Sequence, residues 1–321
     1  MAKSQTVGII GLGKMGKPIA EELVEANTPL MVWDTSPKAR KPFEKLKCAE
    51  VAEPSTMASK CAVIIFVVPS SPDVADCLKG KAGILKNAAK GLVLYDFTTS
   101  DPAETRKLGC LAEKSGVAYL DAGMGRGLTR KLVLMIGGDQ KAFRRTKKFL
   151  APIVERTFHL GELGSGHAMK LVHNMVLHTI FLATCEGARM TERMGMKVSD
   201  MVDVFNVSTA FSYASRHRFP NNILNGSWNG QARIYNPWKD VGIAVRLARE
   251  CGADVGFGER TLDFLERAIS RGMIEQDYSL LYRDYEEILS TQPEKDGKPS
   301  RRQKASKRKA SAPDRTDLTT G

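Results

Sequence analysis

Residues 7–23, VGIIGLGKMGKPIAEEL, constrain the chain more than any other stretch. An apolar, β-branched run leads straight into the spacing Gly11-x-Gly13-x-x-Gly16, and a helix-forming run follows at once. The first glycine permits a tight strand-to-helix turn. The second removes a side chain where a pyrophosphate would approach the backbone, and the third lets helix and strand pack closely, with phosphates at the positive helix end. Leu12, Lys14 and Met15 complete this phosphate-binding loop. A second apolar run, LMVW, ends in Asp34, where the ribose-binding acid of a dinucleotide site belongs. Its carboxylate accepts from a ribose 2′-hydroxyl and repels a 2′-phosphate, and Thr35 and Ser36 follow instead of arginines, so NAD is favoured over NADP. Lys38, Arg40 and Lys41 leave NADP open, and an acid that only ends a strand and caps the next helix would look the same.

From Val7 to about Gly161, the runs VGII, LMVW, AVIIFVV, GLVLY, VAYL and KLVLMI read as strands, with amphipathic helical segments between them. They are continuously apolar rather than alternating, which predicts a parallel sheet covered on both faces, a doubly wound α/β domain. After GELGSG the pattern changes. Residues 165–196 hold no proline, and 175–183 are apolar nearly all round apart from His178 and Thr179, the mark of a buried helix. Helical spacing recurs near 199–218, 239–251, 256–272 and 278–290, so this region is predicted all-α. The expected organisation is a dinucleotide-binding domain over 1–162, an all-helical substrate and dimerisation domain over 163–291, and a disordered basic tail over 292–321.

The net charge of +12 raises the question of nucleic acid, but residues 292–321 hold nine Lys/Arg against four Asp/Glu, a surplus of +5 that leaves +7 for the remainder. The run RRQKASKRK could displace counterions from phosphate, yet no aromatic residue interleaves it for base stacking. Nucleic acid is not an expected partner. Neither is a membrane: no uninterrupted apolar run approaches the roughly eighteen residues a span requires, and a strand begins by Val7, which leaves no room for a secretory leader. Six scattered cysteines form no C-x-x-C pair and no zinc-ligand spacing, so they read as free thiols in a reducing, cytoplasmic setting, with no metal expected.

In GELGSGHAMKLVHN, Lys170 and Asn174 stand four apart and share one helix face. Gly164 and Gly166 precede them, where small residues admit another segment or a ligand. Lys170 has Met169, Leu171 and Val172 for neighbours, and a lysine partly desolvated in such a setting exchanges protons nearer neutral pH, as a general acid/base must. An ordinary solvated helix face carries the same spacing. YNPWKD places Lys239 and Asp240 at the opening of a helix after a turn at Asn236 and Pro237, with simple capping by Asp240 as the plain alternative.

Taken in order, these segments resemble the β-hydroxyacid dehydrogenase family, which includes 3-hydroxyisobutyrate dehydrogenases, over roughly residues 5–290. GLGKMGKPIA is similar to that family's first loop. VVPSSPDV resembles its strand-end cofactor contact, implying Val68 and Pro69, and DFTTSDP resembles its D-x-S-T-x-x-P, implying Thr99 beside the nicotinamide. GSGHAMKLVHN matches its G-x-G-x-x-x-K-x-x-x-N, which implies Lys170 as the catalytic residue and Asn174 as a substrate-binding one. The family's Lys-Asp pair falls on Lys239 and Asp240, implying Lys239 by cofactor and substrate. The fold implied is a Rossmann-type domain followed by a helical domain, with a cleft between. One segment departs from the pattern: where the family has D-A-P-V-S-G-G for the substrate carboxylate, residues 121–127 read DAGMGRG, with Gly125 for the serine and Arg126 for the first glycine.

The resemblance implies hydride transfer between a nicotinamide cofactor and a small hydroxyacid, giving its semialdehyde or ketoacid, with Lys170 exchanging the hydroxyl proton. The substrate is expected to be a small anion held by the backbone of Gly125, Arg126 and Gly127 together with Asn174. The Arg126 guanidinium either pairs with the anion or turns to solvent. Two other readings stand beside this one: an imine reductase, although those enzymes usually lack a lysine at this position, and a non-catalytic dehydrogenase-like module. The apolar helices suggest a homodimer or larger homo-oligomer.

Overall fold

The continuously apolar runs become strands whose two faces are both covered. β1 (Val7–Ile10), β2 (Leu30–Trp33), β3 (Ala49–Val51), β4 (Val63–Phe66), β5 (Val93–Asp96), β6 (Ala118–Arg126), β7 (Leu132–Gly137) and β8 (Val154–His159) form one sheet, ordered β3-β2-β1-β4-β5-β6-β7-β8. The computed structural model describes residues 5–80, 82–127 and 131–292. The tail from 293 onward therefore lies outside the described residues. Every residue of β1, β4 and β5 is buried. The pleat explains why: Val63 and Ile65 of β4 enter one apolar cluster, and Ile64 and Phe66 enter the other. Helices α1 (Gly16–Glu25), α2 (Pro54–Lys60), α3 (Ser71–Leu78), α4 (Pro102–Glu113) and α5 (Gln140–Thr146) connect the strands. The strand order reverses at β1 and β4, which opens a crevice at their C-terminal ends.

The sheet is not wholly parallel. KLVLMI forms β7, which pairs antiparallel with β6, and β8 runs parallel to β7. The reversal is made by a short hairpin, closed by Gly127 N–H donating to Lys131 O (2.7 Å), where a parallel partner would need a long crossover. Residues 121–126, where the sequence departs from the family pattern, are the last six residues of β6. β3 and β8 have no counterpart in the apolar runs, because both are edge strands carrying charge, Glu50 in one and Glu155 and Arg156 in the other.

The chain splits into two compact units, Met1–Asn174 and Met175–Gly321, and the division falls within α6 (Ser165–Arg193). In the second unit, α7 (Val198–Val207), α8 (Tyr235–Glu250) and α9 (Gly256–Ser270) surround a core that includes Phe181, Cys185, Phe219, Val241 and Phe264. The helix expected over 199–218 is interrupted. Ser208 is extended and ends α7, and a π-helical stretch, Ala214–Leu224, follows around Pro220, which donates no backbone hydrogen bond. Asn236 and Pro237 do not form a turn ahead of α8 but lie in its first turn, where a missing N–H costs nothing. Nor is α6 buried all round. Leu171, Phe181, Cys185 and Ala188 are buried, whereas Met169, Val172, Val176, Ile180 and Met190 are exposed. By length and composition alone α6 could cross a membrane, but its buried side is packed into protein.

All six cysteines are free. Burial pushes the Cys61 thiol up to about 12. Burial, then the carboxylates of Asp73 and Asp76, pushes Cys77 up to about 11. In a thiol titration of the folded protein at about pH 8, the exposed Cys110 and Cys251 should react first, the partly exposed Cys77 more slowly, and the buried Cys61 and Cys185 only on unfolding. Rapid labelling of Cys61 in the native state would contradict this packing.

Candidate functional site

The glycine loop occupies the crevice at β1 and β4. Gly11 has φ +98°, and a Cβ there would overlap the Val67 carbonyl oxygen; a Cβ on Gly16 would overlap the Gly11 carbonyl. Gly13 differs: apart from its chain neighbours, no described residue lies within 4 Å of where its side chain would be. Behind it, α1 begins with no side-chain cap and no acidic residue in its first turn. An uncapped positive helix end facing open space suits a pyrophosphate, so these residues fit a dinucleotide. Lys14 and Met15 are exposed there, and Leu12 N–H donates to Asp34 Oδ2 (2.7 Å). Ser36 N–H donates to Asp34 Oδ1 (2.8 Å), and the Arg40 guanidinium lies 4.4 Å over the Trp33 ring. Val68 and Pro69 follow β4 and Thr99 follows β5, at the same C-terminal end of the sheet.

The second half of the site is where β6 meets the start of α6. Asp121 is fully buried, and its carboxylate accepts from Gly164 N–H through Oδ1 and from His167 N–H through Oδ2, both at 2.7 Å. These are first-turn donors that a helix cannot satisfy internally, so a strand residue caps the helix that carries Lys170. Glycines permit the approach. A Cβ on Gly166 would overlap the Met135 carbonyl oxygen, and one on Gly123 would lie 2.5 Å from Lys170 Cβ. Lys170 is half-buried, and Asn174, one turn on, is buried. His173 reaches the surface, yet the surrounding protein desolvates it and the Lys170 charge adds to the effect, so its imidazole is held down at about 4 and is neutral at neutral pH.

Not every residue singled out in the sequence converges here. Strand alternation sends Asp121, Gly123 and Gly125 to the α6 side of β6, whereas Leu120, Ala122 and Met124 join the opposite cluster. Arg126 is exposed and belongs by the same alternation to the side away from Lys170, which weighs against an anion contact by its guanidinium. The Gly127 N–H, expected to bind the anion, is spent on Lys131 O, and a Cβ there would overlap the Glu155 carboxylate. Lys239 lies in α8, its Nζ 3.0 Å from Oδ1 of the buried Asp240. A groove of about 890 Å³, lined by residues such as Arg106, Cys110, Tyr119, His159 and Leu163, contains none of the residues assigned from sequence. Two residues that shape the site, Asp121 and His167, received no role from sequence; the available signal was an acid ending the apolar run VAYL.

A Rossmann-type crevice for a dinucleotide, followed by a helical region, defines an NAD(P)-binding oxidoreductase. Two family models match in succession: the NAD binding domain of 6-phosphogluconate dehydrogenase over residues 6–161, and the NAD-binding domain of NADP-dependent 3-hydroxyisobutyrate dehydrogenase over 164–285. The chain belongs to the β-hydroxyacid dehydrogenase family, whose members are NAD(P)-dependent enzymes of small hydroxyacids. Human mitochondrial 3-hydroxyisobutyrate dehydrogenase is 28% identical over 292 residues, 88% of this chain and 87% of that one. The 3-sulfolactaldehyde reductase of Escherichia coli (strain K12) is 25% identical over 279 residues, 86% of this chain and 94% of that one. The fold also matches the Mycobacterium tuberculosis 3-hydroxyisobutyrate dehydrogenase solved with L-serine, with a TM-score of 0.75 at 24% identity, over 88% of this chain and 99% of that one.

Asp121→Ala would strand two buried N–H donors at the start of α6. A loss of about 2–4 kcal/mol in denaturant unfolding is expected. A variant as stable as the parent would contradict the capping role.

Proposed function

We propose that this chain interconverts a small hydroxyacid and its semialdehyde or ketoacid, with Lys170 as the general acid/base and NAD as the preferred cofactor. The observation that carries this reading is the seating of Lys170 against Gly123, on a helix start fixed by Asp121, at the sheet end that holds the glycine loop. Gly11 to Gly16, Asp34, Val68, Pro69 and Thr99 would hold the cofactor. When bound, the nicotinamide supplies the hydride acceptor, or the donor in reduction. Lys170 Nζ takes the hydroxyl proton as the carbinol C–H leaves as hydride and the C=O bond forms, and returns it in the reverse direction.

A place for the acid group is supported by the sheet edge. Pairing of β5 with β6 stops at Asp96 and Asp121, so residues 122–126 have no strand on that side. The backbone there, Gly125 included, together with the Asn174 side chain, is our proposed carboxylate site. The relatives' names, a hydroxyisobutyrate dehydrogenase and a sulfolactaldehyde reductase, support a short substrate with one acid group near the reacting carbon. Asp34, with both oxygens already accepting backbone N–H groups, supports NAD, because a 2′-phosphate would meet its charge. The test is a panel of 2- and 3-hydroxyacids and the matching semialdehydes with NAD and with NADP. Turnover should be faster with NAD, and Lys170→Ala should abolish it while cofactor affinity stays within about twofold. Substantial turnover by Lys170→Ala would remove the assignment.

We also infer a homodimer through the exposed side of α6. Its exposed apolar residues from Met169 to Met190 span about 32 Å of helix, and a two-fold axis would bring the same seam from a second copy against it. Light scattering should report a dimer that Ile180→Glu dissociates; a monomeric parent chain would contradict it. The free thiols suit a reducing, cytoplasmic setting.

A further inference from the structure

His167 precedes Lys170 by three residues and is fully buried. Its backbone N–H goes to Asp121, but its imidazole makes two separate contacts. Nε2 donates to the main-chain oxygen of Asp96 (3.0 Å), which can only accept, and Nδ1 lies 2.7 Å from the Thr105 hydroxyl. Any buried histidine needs partners for both nitrogens. The particular partners are what matter here. Asp96 ends β5 and Thr105 lies in the first turns of α4, so the two bracket residues 97–104, the segment that carries Thr98 and Thr99. Asp96 also fixes the near end of that segment itself, its carboxylate accepting from Thr98 N–H (2.9 Å) and from the Tyr119 hydroxyl (2.7 Å).

We propose that His167 is a positioning residue: its imidazole clasps both ends of the 97–104 segment to the start of α6, and so sets the distance between the nicotinamide side of the site and Lys170. The inference rests on the reading of Lys170 as the proton-transferring group. Asp121 holds α6 through backbone N–H groups, which a change of the His167 side chain leaves in place. Losing the imidazole therefore releases the segment, not the helix.

The test compares His167→Leu, His167→Gln and His167→Asn with the parent chain, using NAD and the hydroxyacid of highest turnover, with and without deuterium at its carbinol carbon. His167→Leu should lower kcat by about ten- to a hundredfold, as a displacement near 1 Å does, and raise the isotope effect as hydride transfer becomes limiting. Cofactor affinity should stay within about twofold, since the glycine loop is untouched. His167→Gln, whose amide can still donate to the Asp96 oxygen, should recover more of kcat than His167→Asn. If His167→Leu does not fold, Thr105→Val removes one arm of the clasp and is read in the same way. Full kcat with an unchanged isotope effect in the folded variants would overturn the inference and leave the Lys170 reading standing. A parent chain that turns over no hydroxyacid would overturn that reading and the inference with it.

Discussion

A carboxylate buried without solvent is costly unless its charge is met by hydrogen bonds, and Asp121 meets it with the two first-turn donors of α6. The rest of the site is arranged around that exchange. It sets where α6 begins, and hence the height of Lys170 above β6. It also requires small residues around it, since a Cβ at Gly137 would overlap Asp121 Oδ1 and one at Gly166 would approach Oδ2 to 2.9 Å. The glycines of residues 123–127 are thus not a phosphate loop. Gly123 exists so that helix and strand can touch.

Much of the first unit was legible in the sequence, because its signals are local. Gly11, Gly13 and Gly16 act through their own backbone, and β1, β2, β4 and β5 announce themselves as short runs with no polar face. The helix bearing Lys170 and Asn174 was legible too, from spacing and from the absence of proline. What escaped depends on distant residues. β3 and β8 carry charges because they are edges, which no local pattern reveals. Residues 121–126 lie outside the apolar runs because glycine is a poor strand former, yet here it allows the close approach of α6. His167 looks like any histidine in a helix; its partners Asp96 and Thr105 stand 71 and 62 residues away.

The departures from the family pattern sort by which side of β6 they face. Gly123 and Gly125 share the α6 side of the strand; a Cβ at Gly123 would meet Lys170, whereas one at Gly125 would make only ordinary contacts of 3.6 Å or more, with Met135 and Val133. Arg126 looks the other way. α6 joins these features to the second unit's core: its N-terminal turns serve the site, its Phe181 and Cys185 serve the helical core, and its third side is apolar and exposed.

The most direct measurement is a crystal structure of the protein with NADH and a hydroxyacid that it turns over. The carbinol oxygen should lie within roughly 2.6–3.2 Å of Lys170 Nζ, with the acid group against the Gly125 backbone and Asn174. A substrate bound with that oxygen out of reach of Lys170, and another side chain beside it, would contradict the role given to this lysine.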